Sequence, residues 1–169
     1  MSNLSFDRAS SLLDYDKQTG HLYWKAPKNK KLAGRPAGCI NSCGYRVIQI
    51  DGLLRLAHRV VWLLCVGRDP DHDVDHINGD RSDNRFENLR DVLRNHNNQN
   101  IRRPYSTSST GLLGAHRCGG KRGGFQSSIH ANGKCIALGR FKTAEEAHEA
   151  YMRAKRELHP GFIKLDNAA

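Results

Sequence analysis

Long apolar runs are missing from this sequence of 169 residues. No stretch approaches the roughly 18 consecutive apolar residues that a membrane-spanning helix requires, which excludes a helical integral membrane protein. The first residues, MSNLSFDRASSLL, also lack the apolar core of a signal peptide. We therefore expect a protein that acts in a cytoplasm and has no membrane partner.

Cysteines are few and widely spaced. The five are Cys39, Cys43, Cys65, Cys118 and Cys135, and an odd number in a reducing compartment predicts free thiols. A structural zinc ion normally needs two close pairs of Cys or His ligands. Only the first two cysteines form such a pair, so we do not expect a structural zinc ion.

Acidic residues are absent between Asp91 and Glu145, where nine Lys and Arg residues lie. The whole chain has a formal charge of +10, and clustered cations bind phosphate backbones by displacing condensed counterions. This stretch is therefore expected to face nucleic acid. Residues 69–91 hold eight carboxylates against three arginines, a poor phosphate-binding surface unless a cation is bound there. The charge pattern thus predicts a metal centre separate from a DNA-binding surface.

The first 100 residues contain several local structure signals. Residues 4–15 carry apolar side chains at helical spacing, and residues 21–26 alternate like a strand. Asp51-Gly52 predicts a hairpin turn within residues 44–59. The apolar segment 60–67 predicts a short buried helix that ends at its glycine.

The last 70 residues predict strands followed by one packing helix. Residues 101–111 are polar and have no apolar period, which is typical of a linker. Asn132-Gly133 predicts a second hairpin turn, and Thr143 with Glu146 forms a capping box that begins a helix. The apolar stripe of this helix consists of Ala144, Ala147, Ala150, Tyr151, Ala154 and Leu158.

An Asp-His pair inside a short apolar strand, Val74-Asp75-His76-Ile77, is the candidate chemical centre. A turn at Asn78-Gly79, a return strand at Leu89–Leu93 and a helix starting within residues 94–100 are expected to follow. A neutral histidine with a pKa near operating pH can take a proton from water, and carboxylate and amide oxygens suit Mg²⁺ or Mn²⁺.

Turn formation is the competing interpretation of the polar residues in this segment. It accounts well for Asn78, Asp80, Asp83 and Asn84, because Asn and Asp side chains bond their own backbone in loops. It does not account for an Asp-His pair inside a strand.

The string DHINGDRSDNRFENLR, preceded by GYRVIQIDG and AHRVVW, resembles the HNH nuclease motif of phage and intron-encoded homing endonucleases. The resemblance covers roughly residues 10–100. It implies a ββα-metal core at about residues 56–100, one divalent metal ion (Mg²⁺ or Mn²⁺), and hydrolysis of a phosphodiester bond in double-stranded DNA.

Carried over by residue, the resemblance makes Asp75 and Asn97 the metal ligands, His76 the general base, and Asn88 a residue that fixes the loop through backbone bonds. Asn97 stands where the family has its second histidine, and His96, one residue earlier, is the alternative ligand. His58 is a candidate contact in the cleft or to a phosphate, with a purely structural role as the alternative.

Residues 111–162 resemble the DNA-binding domain of plant ethylene-response (Apetala-type) factors, through GLLGAH, NGKCIALGRF and TAEEAHEAYMRAKREL. Phe125 stands where that family usually has Trp. The family lays a three-stranded sheet, backed by one helix, in the major groove, where strand side chains contact bases and phosphates. By this resemblance, and with the two linker arginines added, the candidate DNA contacts are Arg102, Arg103, Arg117, Lys121, Arg122, Gln126, Ser128, His130, Lys134 and Arg140. For each of them a merely solvated side chain is the alternative.

Together these features predict an α+β protein with a nuclease domain at residues 1–100, a linker at 101–111 and a sheet-plus-helix domain at 112–165. The leading hypothesis is a homing-type endonuclease that nicks DNA as a monomer, in the host cytoplasm if it is phage-encoded, with a dimer needed for a double-strand break. The alternative is a catalytically inactive DNA-binding regulator with an HNH fold. A nuclease directed at RNA is a third hypothesis.

Overall fold

A computed structural model describes residues 4–26, 30–119 and 123–162, with Lys31 described by its backbone alone. Within these ranges there are four α-helices and four small antiparallel sheets. None of the helices is long and apolar enough to cross a bilayer. The architecture is therefore mixed, with small sheets beside helices, as the sequence predicts at the level of fold class.

The chain divides into two compact units, Met1–Arg94 and Asn95–Ala169. This division precedes the polar stretch 101–111, which belongs to the second unit. The domain limits given in the sequence analysis remain a prediction.

The first unit consists of three small sheets and two helices. In chain order the elements are α1 (Phe6–Leu12), β1 (Leu13–Tyr15), β2 (Leu22–Trp24), a 3-10 turn (Lys30–Leu32), β3 (Cys39–Ile40), β4 (Arg46–Ile50), β5 (Leu53–Leu56), α2 (Ala57–Val66), β6 (Asp73–His76), a second 3-10 turn (Phe86–Asn88) and β7 (Leu89–Val92). The two-stranded sheets pair β1 with β2 and β6 with β7, and the three-stranded sheet has the order β3-β4-β5.

The helix predicted over residues 4–15 is shorter than expected. It ends at Leu12, and the next three residues form β1, in which Leu13 pairs with Trp24 and Tyr15 with Leu22. Leu13 is 2% exposed in the strand, and its apolar character is equally compatible with helical spacing. The backbone groups of β1 bond to β2 instead, a pairing between separate chain segments that helical spacing does not reveal.

Helix α2 lies at the centre of the first core. It begins at Ala57, one turn earlier than the sequence predicts, and ends at Val66, before Gly67. Its buried side chains pack with those of the N-terminal elements and of the β4 and β6 strands in one cluster. The buried members are Leu4, Ala9, Leu13, Leu22, Ala37, Ile48, Ile50, Ala57, Val60, Val61, Leu63, Val74 and Leu89.

The second unit is a three-stranded sheet with one long helix. Helix α3 (Arg94–Gln99) bridges the division between the units, and the strands β8 (Ala115–Arg117), β9 (Phe125–Ala131) and β10 (Lys134–Phe141) precede helix α4 (Ala144–Leu158). Strand β9 is central and antiparallel to both neighbours. Its turn to β10 lies at Asn132-Gly133, and both residues have positive φ angles, 50° and 74°.

Helix α4 begins as its sequence indicates. The Thr143 side chain accepts a hydrogen bond from the Glu146 backbone, and the Glu146 carboxylate accepts one from the Thr143 backbone. The four alanines of the predicted stripe are buried, and Ala147 contacts the sheet residue Ala115 in the second core cluster.

Lys155 is the largest fully buried side chain on α4, with only 1% of its surface exposed. Its amine donates a hydrogen bond to the carbonyl of Ile101 and lies 4.8 Å from the centre of the Phe162 ring. Burial lowers the pKa of Lys155 to about 8. The stretch that reads as a linker is therefore bound to α4 at its first residue.

Gly114 and Gly133 provide a matched test of the second unit, since both have a φ angle of 74°. A methyl group at Gly114 would overlap the Tyr151 ring, whereas nothing lies within 4 Å of one at Gly133. Either alanine substitution lowers the free energy of unfolding by about 1–2 kcal/mol, because a residue with a Cβ atom is strained in the left-handed backbone conformation. We expect Gly114→Ala to lower the free energy of unfolding by a further ~1–3 kcal/mol through overpacking. Urea denaturation of both variants measures the difference, and equal losses would contradict the packing described here.

Candidate functional site

The β6–β7 ladder carries the residues of the candidate centre. Asp75 pairs with Arg90 and His76 with Leu89. The ladder continues for one further bond, from the Ile77 backbone N–H to the Asn88 carbonyl, at 2.8 Å. The first and last residues of the 77–88 loop are therefore hydrogen-bonded to each other, which holds the two ends of the loop together.

Asn88 ties the loop together from inside. Its Oδ1 accepts a hydrogen bond from the Asn78 backbone at 2.9 Å, and its Nδ2 donates to Asn78 Oδ1 at 3.0 Å and to the Asp83 carbonyl at 2.8 Å. Asn88 is 7% exposed. Two of these bonds are to backbone groups of the loop. The role of Asn88 in catalysis remains a prediction.

Two aspartates complete the loop. Asp83 accepts a bond from Asn78 Nδ2 at 2.8 Å and pairs with Arg85 at 2.7 Å, and the Arg85 guanidinium lowers the pKa of Asp83. Asp80 accepts bonds from the Ser82 backbone and hydroxyl, which lower its pKa as well. Both carboxylates are therefore committed to loop structure.

His76 is almost completely enclosed, with 3% of its surface exposed. Its Nε2 lies 3.0 Å from Oδ1 of Asn84. Burial lowers the pKa of His76, while the hydrogen bond to Asn84 and the charge of Asp75 act in the opposite direction. The imidazole is thus held neutral, the form in which a histidine can accept a proton.

Two further rings surround His76. The ring of His58 meets it edge to face with centroids 4.9 Å apart, and the ring of Tyr45 lies 6.0 Å from His76 and 5.4 Å from His58. Burial lowers the pKa of His58 to about 3, and the charges of His76 and Arg59 act in the same direction. His58 is therefore neutral beside the candidate base, and the choice between a contact role and a purely structural role remains a prediction.

Asp75 forms a buried ion pair across the ladder. Its Oδ2 accepts hydrogen bonds from Nε and an Nη of Arg90 at 3.0 and 2.7 Å. The two side chains are 9% and 17% exposed. The guanidinium thus faces the carboxylate in a place where an isolated charge would be costly.

The donor chemistry of the implied metal site fits a hard cation. No group of three or more His, Cys, Asp or Glu side chains among the described residues is placed to hold a metal ion. Mg²⁺, however, keeps several waters and is usually bound through one or two carboxylates and substrate phosphate oxygens. Asp75 with one amide oxygen meets that requirement, and an ion there would compete with Arg90 for the carboxylate.

The second implied ligand, Asn97, lies on α3 with the alternative ligand His96. Both are half-buried. This helix is bound within the second unit, where the Gly161 backbone donates to Gln99 Oε1 at 2.9 Å. The choice between Asn97 and His96 remains a prediction.

The outward face of the second sheet gathers half of the predicted DNA contacts that the structure describes. Cross-strand pairing puts Gln126 beside Arg140, and alternation along β9 puts Ser128 and His130 on the same side. The opposite side, with Ser127 and Ile129, is buried beneath α4. The four outward side chains are polar, and Arg140 among them is a cation.

The other predicted contacts have different positions. Arg117 lies over the Phe125 ring at 5.4 Å, and Lys134 pairs across the strands with the buried Ala131. Both residues therefore lie in rows that face helix α4. Their side chains are nevertheless exposed. Arg102 lies over the Phe162 ring at 5.0 Å, and Arg103 is exposed. The remaining two, Lys121 and Arg122, lie outside the described residues.

Sequence reasoning missed several residues of these sites. Tyr45 directly precedes β4 and Arg90 lies on the predicted return strand, but neither belongs to a recognised motif position. The sequence predicts Asn84 only as a turn former. His116 pairs with Gln126 on the outward face. The alternation of side chains between the two faces of the strand after Gly114 is the one sequence signal that could have placed His116 on this face.

The Asp75–Arg90 pair yields a stability prediction with an internal control. Arg90→Ala leaves a buried carboxylate without its guanidinium, which we expect to cost about 3–5 kcal/mol. Arg94→Ala removes a pair with Asp73 whose arginine is 82% exposed, and surface pairs contribute about 0–1 kcal/mol. Chemical denaturation of the two variants checks this, and similar losses would show that the Asp75 pair is solvated.

Comparison with known proteins identifies a family for the centre of this site. Residues 55–99 match the family model described as HNH endonuclease. No curated protein and no solved structure matches the chain. The matched segment contains α2, the β6–β7 ladder and α3, and the match supports an HNH nuclease domain within residues 55–99.

Proposed function

We propose that this protein is a metal-dependent DNA endonuclease in which His76 is the general base. The observation that carries the proposal is the state of this side chain, which is 3% exposed and bonded at one ring nitrogen. It stands next to Asp75 inside the segment that matches the HNH family. A neutral, oriented imidazole beside an ionised carboxylate has the groups that phosphodiester hydrolysis requires.

In the proposed reaction a water molecule beside the phosphate transfers a proton to His76. Its oxygen forms the new bond to phosphorus as the bond from phosphorus to one sugar oxygen breaks. The departing oxygen keeps the electron pair and takes a proton from solvent. His76 then returns its proton to solvent before the next cycle.

Asp75 and Asn97 would hold the divalent cation, with Mg²⁺ and Mn²⁺ as the candidates. When bound, such an ion neutralises charge on the phosphate and on the departing oxygen. Asp75 supplies an ionised carboxylate for this purpose, because Arg90 stabilises its charge. Asn88 maintains the loop that connects the strand of Asp75 and His76 to the return strand.

The outward face of the second sheet is the proposed DNA-binding surface. Gln126, Ser128, His130 and Arg140 can donate or accept hydrogen bonds at base edges and phosphates. The absence of acidic residues between Asp91 and Glu145 supports this, since an ordinary solvated surface mixes charges of both signs.

Homing-type nicking by a monomer in the cytoplasm is part of the proposal, as the resemblance to phage and intron-encoded enzymes implies. One centre per chain cuts one strand, so a double-strand break requires a dimer. The competing function is a DNA-binding regulator with an inactive HNH fold. The intact set of Asp75, His76, Asn88 and Asn97 favours the enzyme.

Nicking of supercoiled plasmid tests the catalytic proposal. We expect cleavage with Mg²⁺ that stops when a chelator is added. His76→Ala should lower the rate by about 10²–10⁴-fold, the usual contribution of a general base, while DNA binding persists. His72→Ala is the matched control, because this histidine is 50% exposed at its side chain and pairs with Asp91.

The outcomes separate the hypotheses. Full activity of His76→Ala would remove the general base from the proposal. Binding without nicking by the unchanged protein would favour the regulator, and preferential cleavage of RNA would favour the third hypothesis.

Salt dependence of binding tests the DNA surface. Each phosphate contact contributes about 0.9 to the slope of log K against log salt, so Arg140→Ala should reduce that slope by about one. Arg153→Ala is the control, since Arg153 is equally exposed but lies on α4. Fluorescence anisotropy with a labelled duplex at several salt concentrations gives both slopes, and equal slopes for the two variants would refute an outward-face contact at Arg140.

A further inference from the structure

Asn84 holds one specific nitrogen of His76. Its Oδ1 lies 3.0 Å from Nε2 of the histidine, and both side chains are buried, at 1% and 3% exposure. An amide oxygen only accepts hydrogen bonds, so this contact is a hydrogen bond when Nε2 carries the proton. In a neutral imidazole the basic lone pair is then on Nδ1.

We propose that Asn84 is a positioning residue that selects the Nε2–H tautomer of His76, and that the N-terminal β1–β2 hairpin holds Asn84 in place. The inference rests on the proposed function, in which His76 accepts the proton of the attacking water. It specifies the accepting atom as Nδ1. It also gives residues far outside the matched segment a part in the reaction.

The hairpin reaches Asn84 through Tyr15. The Tyr15 hydroxyl donates a hydrogen bond to the Asn84 carbonyl at 3.1 Å and accepts one from the Phe86 backbone at 2.8 Å. One side chain thus fixes the peptide groups on both sides of Arg85. The contact joins residues 69 positions apart in sequence.

The turn of the same hairpin gives a second contact. Gly20 has a φ angle of 74°, and a methyl group there would lie 2.6 Å from the carbonyl carbon of Asn84. The backbone of the turn and the backbone of the loop therefore touch without a side chain between them. Only glycine permits this approach, so the position of Asn84 is determined by backbone packing as well as by Tyr15.

The remaining sides of the His76 ring are set by other rings. His58 packs edge to face at 4.9 Å and Tyr45 lies at 6.0 Å. These contacts restrict the plane of the ring, but they do not choose which nitrogen is protonated. That choice falls to Asn84, whose amide orients the proton without adding a negative charge to the pocket.

The decisive experiment is a long-range ¹H–¹⁵N spectrum of His76 in the full chain, which distinguishes the two neutral tautomers by their nitrogen shifts. We expect the Nε2–H form in the unchanged protein and in Asn84→Asp, which keeps an acceptor. Asn84→Leu, similar in size but without an acceptor, should lose this preference. An Nδ1–H tautomer in the unchanged protein would overturn the proposal, because the Asn84 amide would then donate to Nε2.

Plasmid nicking supplies the kinetic side of the test. Asn84→Leu should lower kcat by about 10- to 100-fold, the range found when a partner that orients a functional histidine is removed. Its Kd for DNA should stay unchanged, and Asn84→Asp should recover most of the loss. An unchanged kcat in a folded Asn84→Leu variant would overturn the positioning role.

Tyr15→Phe keeps the test decisive if Asn84→Leu does not fold. Removal of one hydroxyl should weaken the tautomer preference and lower kcat less than the leucine variant does, whereas Tyr23→Phe, in the other strand of the hairpin, should change neither. Identical spectra and rates for the two tyrosine variants would refute the role of the hairpin. If the unchanged protein does not cut DNA, the proposed function fails, while the spectrum still decides whether Asn84 selects the tautomer.

Discussion

Four residue pairs form the β6–β7 ladder, and the whole candidate centre depends on them. A two-stranded hairpin of this length is marginal by itself in water, so its geometry must come from side chains. Asn88 binds the loop at its base, Arg90 bridges the strands through Asp75, and the rings of His58 and Tyr45 close around His76. Each functional group thus also contributes to the rigidity of the element that positions it.

The acidic character of residues 69–91 has a structural explanation that charge counting does not provide. Asp80 and Asp83 are bonded within the loop, and Asp91 accepts bonds from the backbone of Asp71 and His72. Local bonding therefore occupies most of the carboxylates that suggested a cation. Asp75 remains the carboxylate with a candidate metal role, because its charge is buried and balanced by a side chain from the opposite strand.

Elements specified by adjacent residues could be predicted from the sequence. The Asp51-Gly52 and Asn132-Gly133 turns have the positive φ angles that such pairs favour, and the capping box at Thr143 forms within one helical turn. Long-range contacts could not be predicted. The pairing of β1 with β2, the burial of Lys155 against Ile101 and the bond from Asn84 to His76 each depend on chain segments that meet only after folding.

The same distinction applies to the candidate site. Asp75, His76 and Asn88 stand out because the motif places them close together in sequence. Tyr45, just before β4, and Arg90, on β7, have no such signal, and their contacts follow only from the fold. Asn84 is the clearest case, since its position among turn-forming residues is sufficient reason for an asparagine. The contact of its buried amide with the His76 ring becomes visible only in the folded structure.

The contact between Gly20 and the loop also bears on how such a centre can be exchanged between proteins. The segment that matches the HNH family starts at residue 55, yet Tyr15, Gly20 and Tyr45 lie before it and touch its interior. A recombination event that moved the matched segment alone would leave behind the residues that immobilise it. The structural unit that holds this candidate centre is therefore larger than the matched segment, and it includes the β1–β2 hairpin.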